Sequence, residues 1–322
     1  MATDRIQEQE ARLRGTAKVD FANRLDLDLL GSKTVVVTGG ASGIGLGIAT
    51  ALAKRGASVA IMDLTEDAGL KVQKDLSAKG QTVKFFRTDV TSWDSQLAAF
   101  KEVLVWSGNN LDIVVLSAGV RSHNIRDLVC NQDPTIDPIR PPSTTLDVNL
   151  LGVYYTTHLA LTYFTRLASQ SSVERKWKPQ LLFICSLAGY AEQSLSADYC
   201  ASKYGVRGVW KAIRSQGALF GGCQANLLAP TFSNTRGRSD RERAHLIDEV
   251  RLAEVEDVVA GALRCICDDA VEARAVCCVQ GAPGSPGSNN FDLCDNTEDY
   301  NSGKALLEAI RAGVLGKFGR KS

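Results

Sequence analysis

The chain has 322 residues, 44% of them hydrophobic and 23% charged, with a net charge of +1. That is the balance of a globular protein with room for one large α/β domain or two small ones, and it argues against a nucleic-acid footprint. No apolar run approaches the ~18 residues that span a bilayer, and the polar start, Met1 to Glu10, has no apolar core of a signal peptide, so a cytoplasmic protein without a membrane partner is expected.

Residues 1–31 read as an N-terminal extension, with a short helix over 8–14 and Leu25–Leu30 packing on the body. From residue 34 strands and helices alternate. Val35–Thr38 reads as a buried strand, and Gly43–Arg55 as a helix with Ile44, Ile48, Ala51 and Leu52 on one face, ended by Gly56. A second strand is expected over 59–63, a helix over 67–78, a third strand over 83–88, a helix from the cap Ser92 to Trp106, and a fourth strand over 112–117. The proline-rich stretch 120–143 breaks the rhythm and reads as a loop. A helix over 144–168, a strand over 180–185, a helix over 197–219 and strands over 224–228 and 275–279 follow. The order implies a single α/β domain over 32–283, a Rossmann-type doubly wound parallel sheet of about seven strands with helices on both faces. Residues 284–322 read as a C-terminal tail with a short helix over 302–313. The nine cysteines include no Cys-x2-Cys spacing, so reduced buried thiols are expected and no metal site.

The most informative run is Thr38-Gly39-Gly40-Ala41-Ser42-Gly43-Ile44-Gly45, which follows the first strand directly. Gly39, Gly43 and Gly45 lack a Cβ where strand turns into helix, so the backbone can approach a pyrophosphate and offer it the N–H groups of a helix N-terminus. Asp63 ends the second strand. A carboxylate there accepts hydrogen bonds from both ribose hydroxyls of NAD and repels a 2′-phosphate; the other reading is a solvated strand-end acid. Ser42 is not basic either, so NAD is the expected cofactor and NADP the alternative. Asp89 reads equally as a partner for the adenine amino group or as a helix cap.

Tyr199 and Lys203 are four apart on an expected helix, so they share one face. An ammonium beside a phenol favours the phenolate, which suits the tyrosine to acid/base work. With the glycine turn earlier in the same β/α chain, the pair points to a nicotinamide-dependent oxidoreductase of alcohols and ketones.

These motifs resemble the short-chain dehydrogenase/reductase family over about residues 33–280, with the glycine signature complete at 38–45. The resemblance implies a catalytic tetrad of Asn149, Ser186, Tyr199 and Lys203. Tyr199 is then the general acid/base, Ser186 the hydrogen-bond partner of the substrate oxygen, and Lys203 the ligand of the nicotinamide ribose. Asn149 would hold a relay water. The cofactor would lie along Gly39, Ser42, Gly43, Ile44, Gly45, Asp63, Asp89, Val90, Ala118, Gly119 and Pro230, as well as Tyr199 and Lys203, with Thr235 on the carboxamide. Two positions depart from the family pattern. Ser117 stands where an asparagine braces the sheet, and Thr231 replaces a glycine after Pro230, where its Cβ would crowd the nicotinamide edge.

The segments 146–157 and 228–235 are similar to fungal secondary-metabolite dehydrogenases of the hydroxyaverantin type, which oxidise polyketide side-chain hydroxyls, and to the NAD-linked prostaglandin-type enzymes. The implied substrate is a small secondary alcohol or ketone touching Leu187, Tyr190 and Phe232. Arg236, Arg238, Arg241 and Arg243 form either an anion site or a solvated flexible segment, and His123 either lines the pocket or lies on a surface loop. The resemblance further implies that the apolar helices over 144–168 and 197–219 form the interface of a homodimer or homotetramer. The alternatives are an NADPH-dependent ketoreductase, a cofactor-retaining isomerase or cyclase, and an idle binding subunit, the last disfavoured by the complete tetrad.

Overall fold

The computed structural model describes residues 19–133, 135–170, 177–191, 193–231 and 253–295. Phe232, Thr235, the four arginines of 236–243 and the helices expected over 8–14 and 302–313 lie outside these residues.

Eight strands form one sheet in the order β3-β2-β1-β4-β5-β6-β7-β8. They are β1 (Thr34–Thr38), β2 (Ser58–Asp63), β3 (Val83–Arg87), β4 (Ile113–Leu116), β5 (Gln180–Ile184), β6 (Gln224–Pro230), β7 (Ala275–Cys278) and β8 (Phe291–Asp292). All neighbours are parallel except β7 and β8, which pair antiparallel through Val276–Asp292 and Cys277–Phe291. Every residue of β1, β4, β5, β6 and β7 is buried, as expected of strands covered on both faces.

The helices are α1 (Gly43–Ala53), α2 (Glu66–Ser77), α3 (Trp93–Trp106), α4 (Ile125–Cys130), α5, α6 (Ala197–Ile213) and α7 (Val255–Cys267). α5 is a rod of three parts, Thr144–Leu146, a π-helical turn Asp147–Gly152, and Val153–Gln170. One core fills the face carrying α1, α2 and α7, with Ile48, Leu52, Leu76, Val258 and Leu263. The other fills the face of α3, α5 and α6, with Phe100, Phe164 and Trp210. Trp210 is fully buried and donates its indole N–H to the Ala225 carbonyl at 2.9 Å, which fixes α6 on β6. Leu30, ahead of β1, is also fully buried, as expected of the 25–30 segment.

Several expectations need correction. α7 is absent from the pattern drawn above, although Glu254 and Asp257 form a reciprocal capping box before an apolar face. The helix expected to run to 219 stops at Ile213, and only a 3₁₀ turn covers Gly217–Leu219. The loop over 120–143 contains the short α4, capped by Asn124. The sheet gains an eighth strand within the 284–322 segment. No helix among the described residues is long and apolar enough to cross a membrane.

Candidate active site

The strand order reverses between β1 and β4, and in a doubly wound sheet the ligand crevice opens at the carboxyl ends of the strands at such a point. The glycine turn stands there. Gly39 has φ +66° and Gly43 φ +53°, a region that L side chains rarely adopt. A Cβ on Gly39 would fall 2.7 Å from the Ala118 Cα, and one on Gly45 would collide with the Gly39 carbonyl. The turn is therefore folded tightly on itself and against the end of β4. Ser42, at the N-cap of α1, makes no side-chain cap, so it leaves the first-turn N–H groups as donors for an anion. These residues fit a dinucleotide pyrophosphate. Gly45→Ala is expected to weaken cofactor binding at least about tenfold, roughly 1.4 kcal/mol, with the fold retained. Titration calorimetry against the wild type checks this.

Asp63 lies at the end of β2. Its Oδ2 accepts from the Ala41 N–H at 3.1 Å and its Oδ1 from Thr65 N–H at 3.0 Å, which holds the carboxylate against the glycine turn. Asp89 is the turn-former rather than the helix cap. Its Oδ1 takes the backbone N–H and hydroxyl of Thr91, while Ser92 caps α3 by accepting from Ser95 N–H. Val90 is buried against the π-helical turn, where a Cβ on Gly152 would meet it at 3.0–3.1 Å.

The brace assigned to position 117 is supplied from the facing strand. Thr38 Oγ1 accepts the N–H groups of Ser117 at 3.1 Å and Ala118 at 3.2 Å and lies 3.4 Å from the Val115 carbonyl. Ser117 needs no long side chain there, because Thr38 ties β1 to β4 at their ends. Thr231 is 5% exposed, and its Oγ1 accepts from Ala253 N–H at 3.3 Å, a contact that a glycine lacks.

Asn149 and Lys203 meet at Gly119, just past the end of β4, and Tyr199 lies beside Lys203. Lys203, 5% exposed, donates from Nζ to the Ile184 carbonyl at 3.2 Å and sits 5.5 Å from the centroid of the half-buried Tyr199 ring. A Cβ on Gly119 would lie 3.4 Å from Asn149 Oδ1 and 4.0 Å from Lys203 Nζ, so Gly119 leaves room between them. Ser186 caps the 3₁₀ turn Leu187–Gly189, its Oγ accepting from Ala188 N–H at 3.2 Å.

Asn149 is fully buried in the π-helical turn. Its Oδ1 accepts Val120 N–H at 2.7 Å and its Nδ2 donates to the Val120 carbonyl at 2.9 Å. Nδ2 also reaches Ser202 Oγ at 3.3 Å, and that hydroxyl donates to the Tyr199 carbonyl at 2.7 Å. The side chain of Asn149 thus fixes the loop after β4 and touches the turn that carries Tyr199. π-helical turns often sit at functional sites, and this one carries a tetrad residue.

Leu187 is half-buried and packs on the core of the α3/α5/α6 face. Tyr190, expected on the substrate, is instead turned to partners within the protein. It is 8% exposed, its hydroxyl donates to Asp295 Oδ2 at 3.0 Å, and the Arg207 guanidinium lies 4.2 Å from its ring centroid. Burial, first, and the neighbouring Asp295 charge push its phenol well above the ordinary tyrosine value, which keeps it neutral. Local reasoning missed both this anchor and the Thr38 brace.

A family model described as short chain dehydrogenase matches residues 33–245. The chain is 57% identical over 328 residues to the NADP-dependent dehydrogenase M3 of Phoma sp., covering 99% of this chain and 96% of that protein. It is 35% identical over 300 residues to the 5′-hydroxyaverantin dehydrogenase of Dothistroma septosporum, covering 89% of this chain and 95% of the other. Among solved structures, the 3-ketoacyl-(acyl-carrier-protein) reductase of Brucella melitensis, complexed with NADH, superposes with a TM-score of 0.63 at 23% identity. That match covers 77% of this chain and 97% of that one.

Proposed function

The chain belongs to the short-chain dehydrogenase/reductase family and is an oxidoreductase acting on CH–OH groups, and from that premise we propose a NAD-dependent enzyme interconverting a secondary alcohol and a ketone. The observation that carries this reading is the meeting of Asn149 and Lys203 at Gly119, with Tyr199 beside Lys203, just past the strand end against which the glycine turn packs. The substrate is a small molecule whose hydroxyl sits on a side chain of a secondary metabolite, a class favoured by the name of the hydroxyaverantin dehydrogenase relative.

In the oxidative direction Tyr199 takes the hydroxyl proton, and Ser186 Oγ holds the substrate oxygen. The nicotinamide, when bound, supplies the hydride acceptor at the carbinol carbon. Lys203 gives one N–H to Ile184 and keeps others, which suits it to a ribose hydroxyl while its charge favours the phenolate. The first-turn N–H groups of α1 would hold the pyrophosphate, and Ala118 and Gly119, without long side chains, would leave room beside it.

Asp63 supports NAD, since a carboxylate at the end of β2 repels a 2′-phosphate. The second reading is NADP. Two relatives, at 57% and 54% identity, are named NADP-dependent, and Arg87 stands in register with Asp63 on β3 as a cation for that phosphate. The test is a panel of secondary alcohols assayed with each cofactor at the reduced-nicotinamide absorbance, together with both dissociation constants. NAD binding at least about tenfold tighter than NADP, a difference of roughly 1.4 kcal/mol, is expected. The reverse order establishes the NADP reading.

A further inference from the structure

Asp198 immediately precedes Tyr199 and has no part in the reaction described. It lies in the first turn of α6, and its side chain is 18% exposed. Its carboxylate is surrounded by donors. Oδ1 accepts the Ser122 hydroxyl and the Tyr199 backbone N–H, the latter at 2.8 Å. Oδ2 accepts His123 N–H at 3.2 Å and lies 3.2 Å from His123 Nδ1. An ionised carboxylate only accepts, so the imidazole carries a proton on Nδ1. Burial works to raise the Asp198 carboxyl, but the hydrogen bonds, that of Ser122 foremost, outweigh it and hold the group far below the usual carboxylate range.

The cap of α6 explains why the chain needs this group. The N-cap residue, Ser196, makes no side-chain bond to the helix. Asp198 supplies the missing acceptor to a first-turn N–H, and its negative charge faces the positive end of the helix. The N–H it takes is that of Tyr199 itself.

The other side of the contact is the loop after β4, which starts beside the cofactor site at Ala118 and Gly119. Each residue from 120 to 123 is held by a helical side chain. Asn149 takes both backbone groups of Val120, Thr145 Oγ1 donates to the Arg121 carbonyl at 3.0 Å, and Asp198 takes Ser122 and His123. Two of the three holders are on α5; only Asp198 belongs to the helix that carries the acid/base.

We infer that Asp198 is a positioning residue that locks the first turn of α6, and with it Tyr199, in register with the 119–123 loop beside the cofactor. It touches neither substrate nor cofactor and acts through the backbone of Tyr199. The inference rests on the acid/base role of Tyr199. Displacing a catalytic group by about 1 Å costs on the order of a hundredfold in rate, so a lock of this kind shows in kcat before it shows in binding.

The experiment compares the full-length wild type with Asp198→Ala, Asp198→Asn, Ser122→Ala and the Asp198→Ala/Ser122→Ala double variant. Turnover uses an alcohol that the wild type oxidises. Cofactor dissociation constant, thermal midpoint and amide hydrogen exchange are read beside it. Asp198→Ala is expected to lower kcat roughly 10- to 100-fold with the cofactor constant within about twofold. Asp198→Asn, which keeps an acceptor for Ser122 and Tyr199, is expected to restore part of that loss. The double variant is expected to be no slower than Asp198→Ala alone, since the two groups act as one contact. Exchange is expected to quicken in peptides over 119–124 and 197–203 and not elsewhere. A kcat within about twofold of wild type in Asp198→Ala overturns the inference, as does a fall in kcat matched by equal loss of cofactor affinity. If Asp198→Ala does not fold, Asp198→Asn and Ser122→Ala carry the test: a lowered kcat at unchanged cofactor affinity supports it, and wild-type kcat in both overturns it. Turnover retained by Tyr199→Phe instead overturns the acid/base reading, and the exchange measurement still reports whether the lock exists.

Discussion

Tyr199→Phe is expected to lower turnover roughly a thousandfold and to leave cofactor binding unchanged. A positioned general acid/base contributes about 10²- to 10⁴-fold, and phenylalanine keeps the ring while removing the only atom that moves the proton. The ring is half-buried with the Lys203 ammonium 5.5 Å from its centroid, so its packing survives the change. Lys203 keeps its bond to Ile184 without the phenol, and the glycine turn is built on other elements, so NAD affinity is expected to be unaltered. Steady-state kinetics together with calorimetric titration of NAD separates the two effects. A variant that turns over at the wild-type rate would remove Tyr199 from the mechanism.

Asp295→Ala is expected to cost about 3–5 kcal/mol of stability, the usual penalty for removing one partner of a buried ion pair. The Asp295 side chain is 5% exposed and is gripped by Arg207 Nε and Nη2, each at 2.8 Å, by Lys211 Nζ at 3.1 Å and by the Tyr190 hydroxyl at 3.0 Å. Arg214 also donates to its backbone carbonyl at 2.7 Å. Alanine leaves the half-buried Arg207 without its counter-charge. The knot joins three things the site needs: the end of the turn capped by Ser186, the helix carrying Tyr199 and Lys203, and the segment after β8. Burial favours the neutral acid, but the Arg207 hydrogen bonds and the charges of Arg207 and Lys211 hold the Asp295 carboxyl below its ordinary value. Its contribution is therefore complete above the unfolded value, about 3.9, and is lost as pH falls through the lower folded value. Urea midpoints for wild type and Asp295→Ala should differ fully at neutral pH and converge only below about pH 4. Equal midpoints at neutral pH would show that the knot contributes nothing.

The parallel sheet was legible because its strands are short apolar runs closed by punctuation, such as Thr34–Thr38 before the glycine turn and Ser58–Asp63 before a helix that opens on Glu66 and Asp67. The Tyr199–Lys203 pair was legible because a four-residue spacing on a helix needs no tertiary knowledge, whereas Asn149 and Ser186 came only through the family resemblance. The π-helical turn over Asp147–Gly152 was not, since one extra residue in one turn leaves the apolar pattern almost unchanged. α7 carried a readable capping box and was lost between the arginine-rich segment and the seventh strand. The anchoring of Tyr190 on Asp295 was hidden for a different reason. Its neighbourhood in the chain is catalytic, while its partner Asp295 stands 105 residues away. The Asp198 contact spans 76 residues to Ser122, and the Thr38 brace 79 to Ser117, so neither leaves a local trace.

In the proposed reaction a hydride passes from a carbinol carbon to a nicotinamide while Tyr199 takes the proton. The direct measurement is isotopic. An alcohol oxidised by the wild type is deuterated at its carbinol carbon and turned over with NAD, and the recovered reduced cofactor is weighed by mass spectrometry. The account predicts that the reduced cofactor carries the deuterium and that the product is the ketone. Deuterium left on the carbon skeleton, with no net reduced cofactor, would contradict it and establish a cofactor-retaining isomerase instead.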